Sequence, residues 1–169
     1  MSEVFLISDT HFGHNNIIKY CNRPYENVDE MDSALIKNWN SVVAPNDKVY
    51  HLGDLTMNTK HLWIMNHLNG TKILIKGNHD IFPIEEYLPH FKDILGSHSI
   101  AEMLLTHIPV NKQQSIRYKA NVHGHLHDKL IKDNWYINVS VEQTNYTPIS
   151  LDDVIAKARK IKATKRENS

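Results

Sequence analysis

Five short apolar runs in this sequence each end in a polar loop that carries aspartate, asparagine or histidine. Residues 3–8 (EVFLIS) run into Asp9 and His11, and residues 71–76 (TKILIK) run into the tetrapeptide GNHD of residues 77–80. Such runs are typical of buried strands that lead into loops. Segments with helical periodicity lie between the earlier runs, and strands that alternate with helices predict an α/β layered fold. The later half is poorer in helix and is expected to supply a mixed or second sheet.

Three segments have the spacing of an amphipathic helix. In residues 28–43 the apolar positions, Trp39 among them, recur at helical intervals and are expected to face the core. Residues 62–68 repeat the pattern in a shorter form. Ser150 is suited to cap a final helix, because its hydroxyl can accept a hydrogen bond from the first turn.

The length and the cysteine content indicate one domain in a reducing compartment. The 169 residues suit a single domain over residues 1–169, and the single cysteine, Cys21, excludes a disulfide within the chain. No apolar run approaches the ~18 residues of a membrane span, and the N-terminus lacks the layout of a signal peptide. We therefore expect a cytoplasmic protein that has no membrane partner.

Opposite charges balance over the whole chain but not along it. Lysine and arginine number 19 and equal the 19 acidic residues, yet six of the basic residues lie within residues 156–169. A neutral chain argues against a broad nucleic-acid-binding surface, which depends on excess positive charge. The basic segment keeps nucleic acid open as a partner, although a solvated end of the terminal helix is favoured. The sequence does not indicate an oligomeric state.

The polar residues that follow the five runs have the chemistry of metal ligands. In α/β sheets the loops beyond the carboxyl ends of the strands converge on one crevice, so residues distant in the chain would meet there. Carboxylates, imidazoles and an amide, without a thiolate, suit Mn, Fe, Ni or Zn and disfavour Ca or an iron–sulfur cluster. Gly53, Gly77 and Gly124 each precede a candidate ligand, where a tight turn or close backbone approach would present it.

The order of these motifs resembles that of the calcineurin-like metallophosphoesterases. The series reads D-x-H, GD, GNHD, H and GHxH, and it spans residues 9–127 with every motif intact. The first stretch, SDTHFGHNNIIKYCNRP, also resembles a compact subgroup that is common in bacteria and their phages. The resemblance implies a four-layer α/β/β/α sandwich of two mixed β-sheets with flanking helices, with the metal site at the loops that follow the carboxyl ends of the strands.

The resemblance also implies a dinuclear metal centre and a catalytic histidine. Asp54 would bridge the two metal ions. His79 matches the catalytic histidine of the family, and Asp80 would orient it. One ion would be held by Asp9, His11 and His127, and the other by Asn78, His107 and His125.

Such a centre predicts hydrolysis of a phosphate ester. Two ions about 3.5–4 Å apart can clamp both sides of an in-line displacement and supply hydroxide from a bridging water near neutral pH. His79 would contact the phosphate or protonate the leaving oxygen. We expect a phosphodiesterase that acts on a small nucleotide or cyclic-nucleotide-like substrate, with manganese favoured. A phosphomonoesterase or a nuclease with the same centre is the alternative, and the intact motifs disfavour a non-catalytic scaffold.

Three residues outside the motifs are candidates for substrate contact. His14, three residues after His11, can contact substrate or form structural hydrogen bonds in its loop. Arg23 can bind a phosphate through its planar fork, although a surface arginine beside Pro24 is the favoured interpretation. Arg117 lies in a polar segment before GHLH and is a candidate to border the cleft.

Two further residues have structural interpretations. His51 lies within the strand that precedes Gly53, where a core histidine with satisfied hydrogen bonds is expected. Cys21 is not expected to be a nucleophile, because a water activated by metal ions leaves no need for thiol chemistry.

Overall fold

Two β-sheets form the centre of the fold. The structure is a computed structural model that describes the backbone of residues 2–167 and the side chains of residues 2–159. In chain order the strands are β1 (Val4–Ile7), β2 (Lys48–His51), β3 (Thr71–Ile75), β4 (Asp93–Leu95), β5 (His98–Ile100), β6 (Met103–Leu105), β7 (Ala120–His123), β8 (Tyr136–Asn138) and β9 (Ile149–Ser150).

Each sheet is mixed, with parallel strands and one antiparallel edge strand. The first sheet has the order β4-β3-β2-β1-β9, in which β1 to β4 are parallel and β9 is antiparallel. The second has the order β5-β6-β7-β8, in which β5 is antiparallel to three parallel strands. The carboxyl ends of neighbouring parallel strands therefore lie at one edge of each sheet. The predicted second sheet in the later half is confirmed.

Helices of very different length accompany the sheets. The longest internal one begins after Asn27, whose side chain accepts a hydrogen bond from the backbone of Glu30, and it buries Met31, Leu35 and Trp39 at intervals of four residues. This confirms the helix predicted over residues 28–43. The α-helices are α1 (Asn15–Tyr20), α2 (Val28–Val42), α3 (Ile84–Tyr87) and α4 (Leu151–Glu167), and the 3₁₀ helices are Thr59–His67, Lys112–Gln114 and Val141–Gln143.

The second predicted helix is a 3₁₀ helix rather than an α-helix. Its buried residues Leu62 and Met65, and Leu68 directly after it, are spaced by three. A helix with three residues per turn aligns this spacing on one face, whereas an α-helix would rotate it gradually around the axis. The apolar pattern thus predicted the buried face correctly but not the type of helix.

The final helix begins where its capping residue predicts. The Ser150 hydroxyl accepts a hydrogen bond from the Asp153 backbone at 3.1 Å. The backbone of α4 continues through the basic segment, but the side chains from residue 160 onward lie outside the described residues. Within the described part of the chain, no helix is long and apolar enough to cross a bilayer.

The first sheet separates two apolar cores. Phe5 and Ile7 of β1 pack with Trp39 of α2 on one face. Leu6, which points to the opposite face, packs in a second cluster with residues of the second sheet such as Val122. Helices therefore cover one face of the first sheet, and the second sheet covers the other. The predicted α/β architecture of two mixed sheets with flanking helices is confirmed.

Candidate metal centre

The candidate ligands lie in loops that follow parallel strands of both sheets. The loops after β1, β2 and β3 come from the first sheet, and the loops after β6 and β7 come from the second. In the first sheet, Asp9 and His11 follow β1, Asp54 follows β2 and Asn78 follows β3. In the second sheet, His107 follows β6, and His125 and His127 follow β7.

A first ligand set, defined as Asp9, His11 and His127, offers atoms that all lie within 4.8 Å of one another. The distance between Asp9 Oδ1 and His127 Nε2 is 3.8 Å. Asp9 Oδ1 and both ring nitrogens of His11 are buried and have no hydrogen-bond partner among the described residues. Because buried polar atoms without partners are costly, a divalent cation at this position fits the donors that the chain presents.

A second ligand set, defined as Asp54, His107 and His125, also brings its atoms within 4.8 Å of one another. His107 Nε2 lies 2.9 Å from Asn78 Oδ1, so the asparagine adjoins this set as predicted from the sequence. His107 Nδ1 lies 2.7 Å from the Leu52 carbonyl. A proton on Nδ1 donated to that carbonyl leaves the Nε2 lone pair free for a cation.

Asp54 belongs to the second ligand set and also faces the first. Its Oδ1 lies 3.4 Å from His107 Nε2, and its Oδ2 lies 3.7 Å from His11 Nε2. Burial raises the pKa of Asp54, but His107, the backbone amide of His79 and His11 together lower it to about 2. The carboxylate is therefore ionised near neutral pH and lies between two groups of donors, as a bridging ligand requires.

The charge of the first ligand set also favours a cation. Burial lowers the pKa of His127, but hydrogen bonds to Cys21 and Glu142 and the nearby Asp9 carboxylate raise it to about 10. The negative field that stabilises a proton on this imidazole would equally stabilise a divalent ion.

Left-handed backbone is concentrated in the ligand loops. Five candidate ligands have positive φ, a region that costs non-glycine residues of order 1–3 kcal/mol each and is enriched at functional sites. Asp, Asn and His tolerate it better than most residues. The five are Asp9 (59°), His11 (51°), Asp54 (56°), His125 (68°) and His127 (51°).

Two glycines allow the loops to approach closely. A Cβ on Gly77 would lie 2.2 Å from Asp54 Oδ1, and a Cβ on Gly124 would lie 2.4 Å from Asp9 Oδ2. Neither distance is possible for real atoms, so both positions need glycine. This confirms the prediction of close backbone approach next to the ligands.

The structure separates the roles of the two predicted catalytic residues. His79 is exposed and lines a groove beside the ligand sets, with its ring centroid 5.7 Å from that of His11. The buried Asp80 carboxylate accepts hydrogen bonds from the backbone amides of Asp54 (2.8 Å), Leu55 (3.0 Å) and Gly77 (2.7 Å). Asp80 therefore anchors the loop that carries Asp54, and its predicted role of orienting the imidazole of His79 is corrected, because its carboxylate binds these backbone amides instead.

The groove has a volume of about 470 Å³ and is lined by both polar and apolar side chains. Histidines of both ligand sets line it, and Ile17, Tyr20 and Leu126 contribute apolar side chains to the same lining. His14 also lines it, and burial together with nearby His79 lowers the pKa of His14, so its ring is neutral near pH 7. Its position agrees with the prediction of substrate contact. Cys21 also lines the groove.

The position of Arg23 corrects the favoured interpretation of this residue as a surface arginine. The residue is 4% exposed, so it is not a surface arginine, and its guanidinium has no access to substrate. It donates to the carbonyls of Asp9 (2.7 Å) and Thr10 (2.8 Å) and to the carboxylate of Glu142 (3.0 Å). Glu142 was missed by the sequence analysis, because no motif surrounds it and its partners are distant in the chain.

Arg117 does not line the groove. Its side chain is exposed and lies over the ring of Tyr118, 4.7 Å from the centroid, and donates to the Tyr118 hydroxyl. The predicted contact with the cleft is therefore wrong, because the arginine is held by its own neighbour.

His51 is a core residue, as predicted. Its Nδ1 accepts from the Gly53 amide at 3.2 Å, so its Nε2 carries the proton and donates to the Thr10 hydroxyl at 3.0 Å. That hydroxyl donates in turn to the Leu55 carbonyl at 3.0 Å. This buried chain of hydrogen bonds joins the loops of Asp9 and Asp54.

Comparison with known proteins assigns the chain to a family. Residues 3–144 match the calcineurin-like phosphoesterase superfamily domain. The chain belongs to this superfamily. The resemblance drawn from the motif series is thus confirmed, and the calcineurin-like phosphoesterase described here is a hydrolase of phosphate esters.

Relatives of this calcineurin-like phosphoesterase occur in archaea, phages and bacteria. An uncharacterised protein of Methanocaldococcus jannaschii is 39% identical over 180 aligned residues, which cover 99% of this chain and 98% of the relative. The gene 66 protein of Mycobacterium phage L5 is 41% identical over 86 residues, 47% of this chain and 41% of the phage protein. A protein of unknown function from Aquifex aeolicus has a similar structure, with a TM-score of 0.72, 27% identity and coverage of 92% of this chain and 99% of the other.

Proposed function

We propose that this phosphoesterase hydrolyses phosphodiesters of small, nucleotide-like compounds and uses two divalent metal ions, with manganese favoured. The position of Asp54 carries the proposal, because its two oxygens face different ligand sets at 3.4 Å and 3.7 Å. We place the reaction in the cytoplasm, in keeping with the free thiol of Cys21.

The proposed ligands follow the motif series. Asp54 would bridge the ions. When bound, such ions supply Lewis acidity that neutralises the charge of the phosphoryl group and activates an attacking water. The oxygen and imidazole donors suit manganese, iron, nickel or zinc. One ion would be held by Asp9, His11 and His127, and the other by Asn78, His107 and His125.

His79 is the proposed acid or phosphate-binding group. Its backbone amide donates to Asp54 Oδ1 at 2.9 Å, which holds the residue directly beside the bridging carboxylate. The exposed imidazole can then donate a hydrogen bond to a phosphoryl oxygen or a proton to the leaving oxygen. His14, in the same groove, would contact the substrate as a neutral ring.

The groove supports a diester as the substrate. A phosphodiester has an organic group on each side of phosphorus, so one group must occupy space beside the centre. The apolar side chains of Ile17, Tyr20 and Leu126 offer that space. The balanced charge of the chain disfavours a long duplex, whose binding depends on excess positive charge.

Paired model substrates test the proposal. We expect the purified protein with added Mn²⁺ to release p-nitrophenol faster from bis-p-nitrophenyl phosphate than from p-nitrophenyl phosphate, and to stop when the ion is chelated. Preference for the monoester would contradict the diester assignment. Bound metal without activity on either compound would instead support a scaffold of the same fold.

A further inference from the structure

A buried ion pair lies behind the first ligand set. Arg23 and Glu142 approach to 2.8 Å, and their side chains are 0% and 5% exposed. Two charges removed from water to this extent are costly, and apolar residues of similar volume often serve stability as well or better. The pair therefore calls for a reason other than stability, and its contacts supply one.

Glu142 contacts the imidazole of a proposed metal ligand. Its Oε1 lies 3.2 Å from His127 Nδ1. With the Nδ1 proton donated to this carboxylate, a bound ion would take the place of the second ring proton on Nε2, the nitrogen that faces Asp9 Oδ1 at 3.8 Å. The carboxylate thus fixes both the tautomer and the rotation of the ring in the orientation that presents a lone pair to an ion.

Arg23 secures the opposite side of the same set. It donates to the Asp9 carbonyl at 2.7 Å and to the Thr10 carbonyl at 2.8 Å. Asp9 has a φ of 59°, so its loop needs outside support to remain in this conformation. Since Arg23 also binds Glu142, one ion pair ties the loop after β1 to the imidazole of His127, which is 118 residues away in the chain.

The second ligand set is supported differently. His107 donates through Nδ1 to the Leu52 carbonyl at 2.7 Å, which is a backbone group. A side-chain substitution can therefore remove the partner of His127 but not the partner of His107. Removal of Glu142 or Arg23 acts on the first ligand set and leaves the support of His107 intact.

We propose that Arg23 and Glu142 are positioning residues that set the metal affinity of the first ligand set without touching the substrate. The inference rests on the metal assignment of the proposed function. It predicts that loss of the pair weakens one of two bound ions and spares the other.

Calorimetric titration with Mn²⁺ tests the inference. Wild-type protein is expected to show two binding steps, and Glu142→Gln is expected to weaken one of them by roughly 10- to 100-fold, the usual effect of losing a group that orients a ligand. Glu102→Gln is the matched control, because Glu102 is an exposed carboxylate paired with Lys119 outside the site. It is expected to bind both ions as the wild type does.

Two reference variants identify the weakened site. His11→Asn damages the first ligand set and His125→Asn the second. The titration of Glu142→Gln is expected to lose the same step as His11→Asn. Loss of the step that His125→Asn removes, or unchanged affinity for both ions, would overturn the inference. Absence of Mn²⁺ binding by the wild type would instead overturn the proposed function.

A double variant separates positioning from folding. Arg23→Met combined with Glu142→Leu leaves no buried charge without a partner, so the chain is expected to fold cooperatively. We expect it to retain the second binding step and to lose affinity in the first, as Glu142→Gln does. Wild-type affinity at both steps in this folded variant would show that the pair does not position His127.

Discussion

His79 differs from the buried histidines of the centre because its side chain is exposed in the groove. It contributes only its backbone amide to the Asp54 carboxylate. Its imidazole lies outside both ligand sets and is therefore available for the role in catalysis that we propose for it. This division between ligands and a free acid suits general acid catalysis.

Replacement of His79 by alanine is expected to reduce turnover by roughly 10²- to 10⁴-fold, the usual contribution of a positioned acid or base. Metal content is expected to stay the same, because the amide that binds Asp54 remains. Turnover and metal analysis on one preparation check both parts. His67→Ala, at an exposed histidine of the 3₁₀ helix, is the control. A wild-type rate for His79→Ala would show that the assigned role is wrong.

The core histidine His51 makes stability depend on pH. Burial lowers the pKa of His51 to about 3, far below the 6.5 of an exposed histidine. The unfolded chain therefore binds a proton between pH 6.5 and pH 3 that the folded chain does not. The contribution of His51 to the free energy of unfolding is therefore complete above pH 6.5. At pH 5 the free energy of unfolding should be lower by about 2 kcal/mol from this group alone.

Chemical unfolding of His51→Gln at several pH values isolates this effect. The variant is expected to be less stable above pH 6.5 because it loses the packing of the ring on Trp39, but its pH dependence between 6.5 and 3 should be shallower than that of the wild type. His67→Gln should keep the wild-type slope. Parallel curves for wild type and His51→Gln would show that folding does not lower the pKa of His51.

The sequence predicts which single residues come together where a local motif marks each of them. Asp9, Asp54 and His107 follow apolar runs, and their loops are brought together by parallel strands whatever the details of the chain. Glu142 lies 119 residues from Arg23 and has no such marker, so its contact follows only from the folded structure. Asp80 was placed in the correct loop but given the wrong partner, because sequence does not show which way a side chain turns.

At the level of elements, the long and strongly patterned ones were predictable. Helix α2 and strands β1 to β3 have apolar periodicity of their own. The elements that were missed are short: α1 has six residues, and β4 and β5 have three each. Strands of this length are defined by the neighbours with which they pair, and their own sequence gives little signal.

The turn after β3 can be tested through its glycine. Gly77→Ala would place a methyl group 2.2 Å from Asp54 Oδ1 and 2.5 Å from the Asp54 amide, so the turn must shift. We expect a loss of about 1–3 kcal/mol in the free energy of unfolding, as for other overpacked sites, together with weaker Mn²⁺ binding.

Gly96→Ala is the matched control for this turn. A Cβ at Gly96 meets no atom within 4 Å, so the substitution is expected to change stability by less than about 1 kcal/mol. Equal effects of the two substitutions on Mn²⁺ affinity would contradict the close approach of Gly77 to Asp54.

At the scale of the whole molecule, each ligand set draws on both sheets. Asp9 follows β1 of the first sheet, whereas His127 follows β7 of the second. Asp54 and His107 are divided between the sheets in the same way. An ion bound by either set would therefore cross-link the two sheets at the edge where their strands end.

Thermal unfolding with and without Mn²⁺ tests this cross-link. A ligand that binds only the folded state adds about 2.7 kcal/mol at a concentration 100 times its Kd, so the melting temperature should rise with Mn²⁺ and fall with chelator. Asp54→Asn keeps the shape of the side chain but not its charge, and it should abolish most of the rise. A melting temperature that does not change with Mn²⁺ would contradict a metal site formed by residues of both sheets.

The left-handed backbone at five candidate ligands restricts how this site can change during evolution. Asparagine and glycine tolerate such a backbone, while valine and isoleucine are strained by it. A lineage that abandons catalysis would therefore replace Asp9 or His11 with asparagine or glycine and keep its fold at little cost. Single nucleotide changes convert both Asp and His codons to Asn codons, so relatives that have lost activity should arise readily and be recognisable by asparagine at these positions.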